Sequence, residues 1–153
     1  MHQYIIKTKE YIRRFFLIHD TPHKVAAGFA LGIFWGIMPG EGVGITLITA
    51  YILRFNRLSA TAGVLASNMW MTFVALPIAT FIGGFIFGVS PETLINSFQK
   101  TYGLGWKYFF TETIFLEILT PFFVGFFIVS IAIALIFYFL LYFLLKYNKL
   151  KFR

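Results

Sequence analysis

HDTPHKVAAGFALGIFWGIMPGEGVGITLITAYILRFN, residues 19–56, is the stretch on which the fold turns. Thr21-Pro22 reads as a helix start. Threonine offers a side-chain oxygen to the free amides of the first turn, and proline at the first helical position lacks an amide that would be unpaired anyway. From there Gly28, Gly32, Gly36, Gly40 and Gly44 recur every fourth residue. That spacing lines one helix face with bare backbone, a packing face on which another helix can approach closely. The groove cannot run through one continuous helix. Pro39-Gly40-Glu41-Gly42 interrupts it with a missing amide donor and two conformationally free glycines. The residues predict two half-helices that reverse at Met38–Val43. A single kinked span over 25–53 is the alternative.

Outward from this stretch the chain is too apolar for a water-soluble domain. Of 153 residues, 59% are apolar, 21% aromatic and 12% charged, with mean hydropathy +0.80; soluble domains are about a quarter charged. The same figures exclude a disordered chain. With no cysteine there is no disulfide framework, thiolate cluster or thiol chemistry. Uncharged runs cover 25–40, 42–53, 58–91 and 118–145. A spanning helix needs about 20 apolar residues, so the last two runs are long enough, and the first two only if joined across Glu41.

In the second long segment Ser59, Gly63 and Ser67, with Ala62 and Ala66, form another small face that can receive the glycine groove. Ser67-Asn68, Pro77 and Gly83-Gly84 predict that this segment is broken too. Ser90-Pro91-Glu92 starts a short amphipathic helix that ends near Gly103, and Trp106, Tyr108, Phe109 and Phe110 read as an interfacial aromatic belt. Residues 1–19 mix Lys7, Lys9, Arg13 and Arg14 with Tyr4, Ile5, Tyr11, Ile12, Phe15 and Phe16. They predict a basic amphipathic helix lying on a membrane surface or packed on the protein, rather than a cleavable signal peptide. The expected architecture is an all-α integral membrane protein of one domain. It has the amphipathic helix 1–19, a motif-bearing broken-helix core over 20–90, an interfacial segment 91–110, a long transmembrane helix 111–146 with Pro121 near its start, and a basic tail 147–153.

The net charge of +7 could point to nucleic acid, but the charges sit at the ends of apolar runs. The N-terminus, Arg54 with Arg57, and the C-terminus are all basic, whereas 90–117 carries a net −1. The positive-inside rule then places both termini and the Arg54/Arg57 loop in the cytoplasm. In that topology residues 25–53 dip in and return as a re-entrant hairpin, 58–88 cross outward and 118–145 cross back.

Backbone left unpaired in hydrocarbon survives only when protein covers it or water reaches it, so Pro39, Gly40 and Gly42 mark a place that a neighbouring element must shield. Glu41 sits there between two glycines. An acid inside a membrane is a functional-site candidate, able to carry a proton, bind a cation or cap the second half-helix; the plainer reading is a loop residue in water. Asn68 either faces Glu41 across the interface or satisfies backbone at its own break. Two broken segments in succession resemble the paired interrupted helices of transporters. His23, Lys24, Arg54 and Arg57 gather at the hairpin mouth, where they would contact a phosphate headgroup or anchor to anionic lipid. His19, Asp20 and His23 are split by the helix boundary at Pro22, so no metal site is expected. Neither a catalytic constellation nor a cofactor is implied.

Thr21-Pro22-His23, Ala26, Gly28, Gly32, Gly36, Pro39 with Gly42, then Asn56 and Asn68 resemble, in order, the pattern of a family of bacterial membrane proteins, the domain of unknown function family 2062. The motif likeness covers about residues 18–90, and the layout with its final hydrophobic helix covers most of the chain. Met69 stands where the family has proline, the turn carries Glu41, and Gly44 replaces an expected polar residue. The resemblance implies an inner-membrane protein. Relatives that carry the domain beside a glycosyltransferase hint at lipid-linked sugar or envelope metabolism. The Pro-Gly-Glu turn also looks like the DedA lipid-flippase superfamily. Two functions are therefore expected as alternatives. One is a small transporter or flippase for an anionic lipid or polyprenyl phosphate. The other is an assembly protein that packs through its glycine faces. The expected partners are membrane lipids, with a second copy of the chain or an envelope-biosynthesis enzyme as protein partners, and no nucleic acid.

Overall fold

Helix α1 (Pro22–Ile37) starts and stops where local chemistry dictates. The computed structural model describes residues 20–39, 42–104 and 119–150. Thr21 caps α1, its side-chain oxygen accepting from the Lys24 amide at 3.3 Å, with Pro22 in the first position. At the other end Met38 is extended (φ −61°, ψ 132°), as expected of a residue that precedes proline, whose ring disfavours the helical conformation before it. Helix α2 (Gly42–Ile52) ends in a paired cap. The Phe55 amide donates to Ala50 O at 3.0 Å and the Arg54 amide to Tyr51 O at 3.2 Å, around a left-handed Arg54 (φ 55°). Asn56 opens α3 (Arg57–Phe87), its side chain accepting from the Ser59 amide at 2.7 Å, and Gly88 closes it at φ 69°. Ser90 and Pro91 start α4 (Pro91–Leu104), and α5 (Thr120–Leu150) completes the described helices.

The contacts along the helices define direction. A Cβ built on Gly28 would meet Asn56 O at 2.4 Å, one on Gly32 would meet Ala60 O at 2.1 Å, and one on Gly36 would meet Ser67 Oγ at 2.0 Å. The residue numbers rise together, so α1 and α3 run parallel. Gly63 returns the contact, its added Cβ falling 2.2 Å from Phe29 O. Helix α2 is the return stroke between them: the Asn56 amide donates to Lys24 O at 3.2 Å, bringing the end of the α2 turn back to the start of α1. Residues 25–53 therefore form a hairpin and not a kinked span.

Helix α5 runs against both α1 and α3. Gly125 lies on Ala79 and Gly83 on Pro121, while Phe34 meets Phe127 and Phe29 meets Phe137. The three helices enclose a core of Ile33, Ile37, Ala75, Ala79, Phe122, Phe126 and Val129. Burying each large side chain there contributes on the order of 2 kcal/mol where water is the reference; in lipid the gain comes from close packing instead.

Two helices contain stretches long and apolar enough to cross a membrane, α3 through Trp70–Phe87 and α5 through Thr120–Tyr147. Helix α1 is shorter, 16 residues or about 24 Å. Its last carbonyls, on Gly36 and Ile37, accept from Thr72 Oγ1 at 3.4 and 3.2 Å. Thr72 is midway along the 31 residues of α3, so the hairpin reaches half the length of its neighbour.

The second segment is not broken as expected. Helix α3 is continuous from Arg57 to Phe87 through Asn68, Pro77 and Gly83-Gly84. Pro77 lies on an exposed face, clear of the packed interior, and Thr80 Oγ1 donates to Leu76 O and Pro77 O at 2.9 and 3.1 Å. Gly83 and Gly84 are not loosened points: added Cβ atoms would fall 2.1 Å from Pro121 O and 2.3 Å from Val89 O. Tertiary contact at Gly83 and Gly84, and the local hydroxyl bonds of Thr80 at Pro77, offset the helix-breaking tendency of these residues. The likeness to paired interrupted helices thus loses its second member. The final helix also runs past the expected end at 146, to Leu150. The predicted amphipathic helix 1–19, the aromatic belt at 106–110, the first residues of the predicted helix at 111–118 and the tail at 151–153 lie outside the described residues.

Candidate functional site

Two places carry the predicted site residues: the mouth of the hairpin and its turn. At the mouth the starts of α1 and α3 lie side by side because the helices are parallel. Asn56 knits them together. Its side-chain amide donates to Asp20 Oδ2 at 2.8 Å, its side-chain oxygen caps α3, and its backbone amide reaches Lys24 O. One residue past Lys24 in α1 and three past Asn56 in α3, the buried Ser59 Oγ donates to Val25 O at 2.7 Å. Lys24 faces Asp20 at 3.7 Å, a half-exposed pair of small energetic weight.

His23 turns towards α5, its Nδ1 2.9 Å from the Tyr138 hydroxyl, with the Phe55 ring edge-on at 6.1 Å. Arg57 lies 5.5 Å over the ring of Tyr51. At the same end Tyr142 stacks on Tyr138, and Lys146 lies 5.6 Å over Tyr142. The mouth thus collects His23, Lys24, Arg54, Arg57 and Lys146. Asp20 is its one acid among the described residues; the only other described acid, Glu92, is in α4 at the far end. Two parallel helix starts add their positive dipole ends to the same surface. The arrangement favours anions.

At the turn, Gly42 sits close under α1 and α3: a Cβ there would meet Val64 Cγ2 at 3.0 Å and Trp35 O at 3.1 Å. The Thr46 hydroxyl donates to Gly42 O, and Trp35 Nε1 donates to Thr49 Oγ1 at 3.1 Å, tying the two arms together. Pro39 follows Met38 in the bend. Shielding of the turn on the described side is supplied by Val64 and Thr72 of α3. Gly40 and Glu41 lie outside the described residues. Asn68 is within α3, but its side chain is also outside them.

The five-glycine register divides. Gly28, Gly32 and Gly36 contact α3 within the chain, whereas Gly44 has open space around its Cβ position. The packing face expected to include Gly44 stops before it: α2 buries Thr46 and Ala50 instead. Sequence reasoning missed Asn56 as the hub of the mouth, Tyr138 as the partner of His23 and Thr72 as the cap of α1. A signal for the first was present, since Asn56-Arg57-Leu58-Ser59 has the form of a capped helix start. For the other two, separations of 115 and 35 residues left none.

The model of a bacterial family described as an uncharacterized protein conserved in bacteria, DUF2062, matches residues 7–152. No curated protein and no solved structure matches the chain, and a likeness to the DedA superfamily is not shown.

Proposed function

The chain belongs to this bacterial family, and from that premise we propose that it is an inner-membrane protein that moves an anionic lipid, a phospholipid or polyprenyl phosphate, between leaflets in envelope metabolism. The observation that carries the reading is a hairpin reaching only half the length of α3 and pinned at its open end by a cationic, aromatic mouth. In this reading the mouth lies at the cytoplasmic face, the side that its basic residues favour. His23, Lys24, Arg54 and Arg57 gather the headgroup. The turn lies near the middle of the bilayer, and Glu41, adjacent to the start of α2 in the chain, couples a proton or gates passage.

The test is transport in reconstituted vesicles, followed with a fluorescent phosphorylated lipid whose outer-leaflet copies are chemically quenched. Wild-type protein should bring the inner-leaflet copies to the quencher, and Glu41→Gln should stop this with expression unchanged. Transport that survives Glu41→Gln removes Glu41 from the mechanism. No transport of any phosphorylated lipid removes the proposal and leaves an assembly role. That role cannot use Gly28, Gly32 or Gly36 on a partner, because α3 already occupies them.

A further inference from the structure

We infer that the outer face of α2, with Arg54 and Arg57 at its head, is a binding surface for one anionic phospholipid of the leaflet in contact with the mouth. Helix α2 has 11 residues, so it is about 16 Å long. Half of a bilayer's hydrocarbon core is about 15 Å thick. The helix therefore matches the height of a single acyl layer. Its outer face is apolar and, among the described residues, unpartnered: Ile48 is 61% exposed and Ile52 68%, with Val43, Ile45 and Leu47 also exposed. That face ends at Tyr51, Arg54 and Arg57, where a headgroup at the same height would lie.

Two details of the head argue for a phosphate-bearing occupant over plain solvent lipid. Arg54 is the single non-glycine residue with positive φ among the described residues. Glycine is the usual occupant of that capping position, and an L-residue there costs about 1–2 kcal/mol, so the arginine is held against a local penalty. Arg57 lies over Tyr51, which fixes a guanidinium at the aromatic level of the surface. No acid is in α2 or in the first turn of α3 to neutralise these cations. The charge there is complementary to an anionic headgroup, and the apolar face below it to that lipid's chains.

This inference rests on the membrane placement proposed above but not on transport. Its test uses the absence of cysteine in the chain. The full-length Ile48→Cys variant is labelled with bimane and reconstituted into phosphatidylcholine vesicles containing a fixed fraction of phosphatidylglycerol. Either lipid is supplied in turn with brominated chains, which quench on contact. A Phe85→Cys variant, labelled in the half of α3 beyond the hairpin, is the positional control; Phe85 is 83% exposed.

Attraction of about five-fold per surface cation is expected near an anionic headgroup. At equal mole fraction, brominated phosphatidylglycerol should quench the Ile48 label at least about two-fold more than brominated phosphatidylcholine, and about equally at Phe85. Adding Arg54→Ala and Arg57→Ala should bring the ratio at Ile48 to one, while Lys100→Ala, which removes an exposed cation of α4 at the far end, should not. Equal quenching at Ile48 in the parent, or a ratio untouched by the double arginine change, overturns the inference while leaving transport standing. Loss of transport with the ratio intact overturns only transport. Absence of quenching at both labels overturns both.

Discussion

Two glycine-to-alanine changes, twelve residues apart in one motif, should move stability in opposite directions. A Cβ on Gly32 would fall 2.1 Å from Ala60 O, 2.6 Å from Val64 N and 2.9 Å from the Gly63 Cα. All three are backbone atoms of α3, so no side chain can rotate away. Reaching ordinary contact at 3.4 Å requires α1 and α3 to part by about 1.3 Å, the difference between 3.4 and 2.1 Å. The 2.7 Å bond from Ser59 to Val25 O and the 3.2 Å bond from Thr72 to Ile37 O bracket this contact and would both stretch beyond bonding distance. Overpacking costs about 1–3 kcal/mol, and each lost bond about 0.5–1.5 kcal/mol. Gly32→Ala should therefore destabilise by about 2–6 kcal/mol. Gly44 has nothing within 4 Å of its Cβ position and lies within α2. Gly44→Ala should stabilise by about 0.5–1 kcal/mol through helix propensity alone. Denaturation of the purified protein in detergent micelles, followed by helical circular dichroism, measures both. Equal effects at the two positions, or a stable Gly32→Ala, would refute the parallel α1–α3 contact.

Further expectations rest on single contacts. Asn56→Ala removes the α3 cap and the bond to Asp20 together, and should cost about 2 kcal/mol in the same denaturation assay. Arg54→Gly relieves the positive-φ penalty and should raise stability by about 1 kcal/mol while weakening anionic-lipid preference, so stability and binding move apart. A double-mutant cycle of His23→Phe with Tyr138→Phe should return a coupling of about 0.5–1.5 kcal/mol, whereas additive effects would mean that the bond contributes nothing. Thr72→Val uncaps the end of α1 and should speed amide hydrogen exchange around residues 34–38 more than in the mouth.

What could be read in the residues was local. The α1 start at Thr21-Pro22, the chain break at Pro39 and the α4 start at Ser90-Pro91 each depend on atoms within four residues, and the structure has a boundary at each. The small residues on α1 and α3 were legible as faces that could meet, but not their direction, which depends on where α2 ends. The break expected in α3 failed for a non-local reason. Gly83 and Gly84 read as weakness, whereas their lack of a Cβ is required by Pro121 and Val89. The four predicted headgroup residues do share one end of the bundle. The reason they do, the Asn56–Asp20 and His23–Tyr138 links, spans separations that hydrophobic periodicity cannot register.

The cap on α1 has a consequence for biogenesis. The carbonyls of Gly36 and Ile37 find their hydroxyl donor 35 or more residues later, at Thr72. A ribosome adding about 5–20 residues per second makes that segment in roughly 2–7 s. On the membrane placement proposed above, the nascent hairpin until then lacks the Thr72 donor for its terminal carbonyls, and it should linger at the headgroup layer or within the insertion machinery. Its descent is therefore expected to wait on α3, so that the earliest part of this region to be translated is among the last to reach its depth. A translation arrest that holds Thr72 inside the ribosomal tunnel, combined with labelling of residue 38 from the aqueous side, would expose a hairpin that sinks earlier.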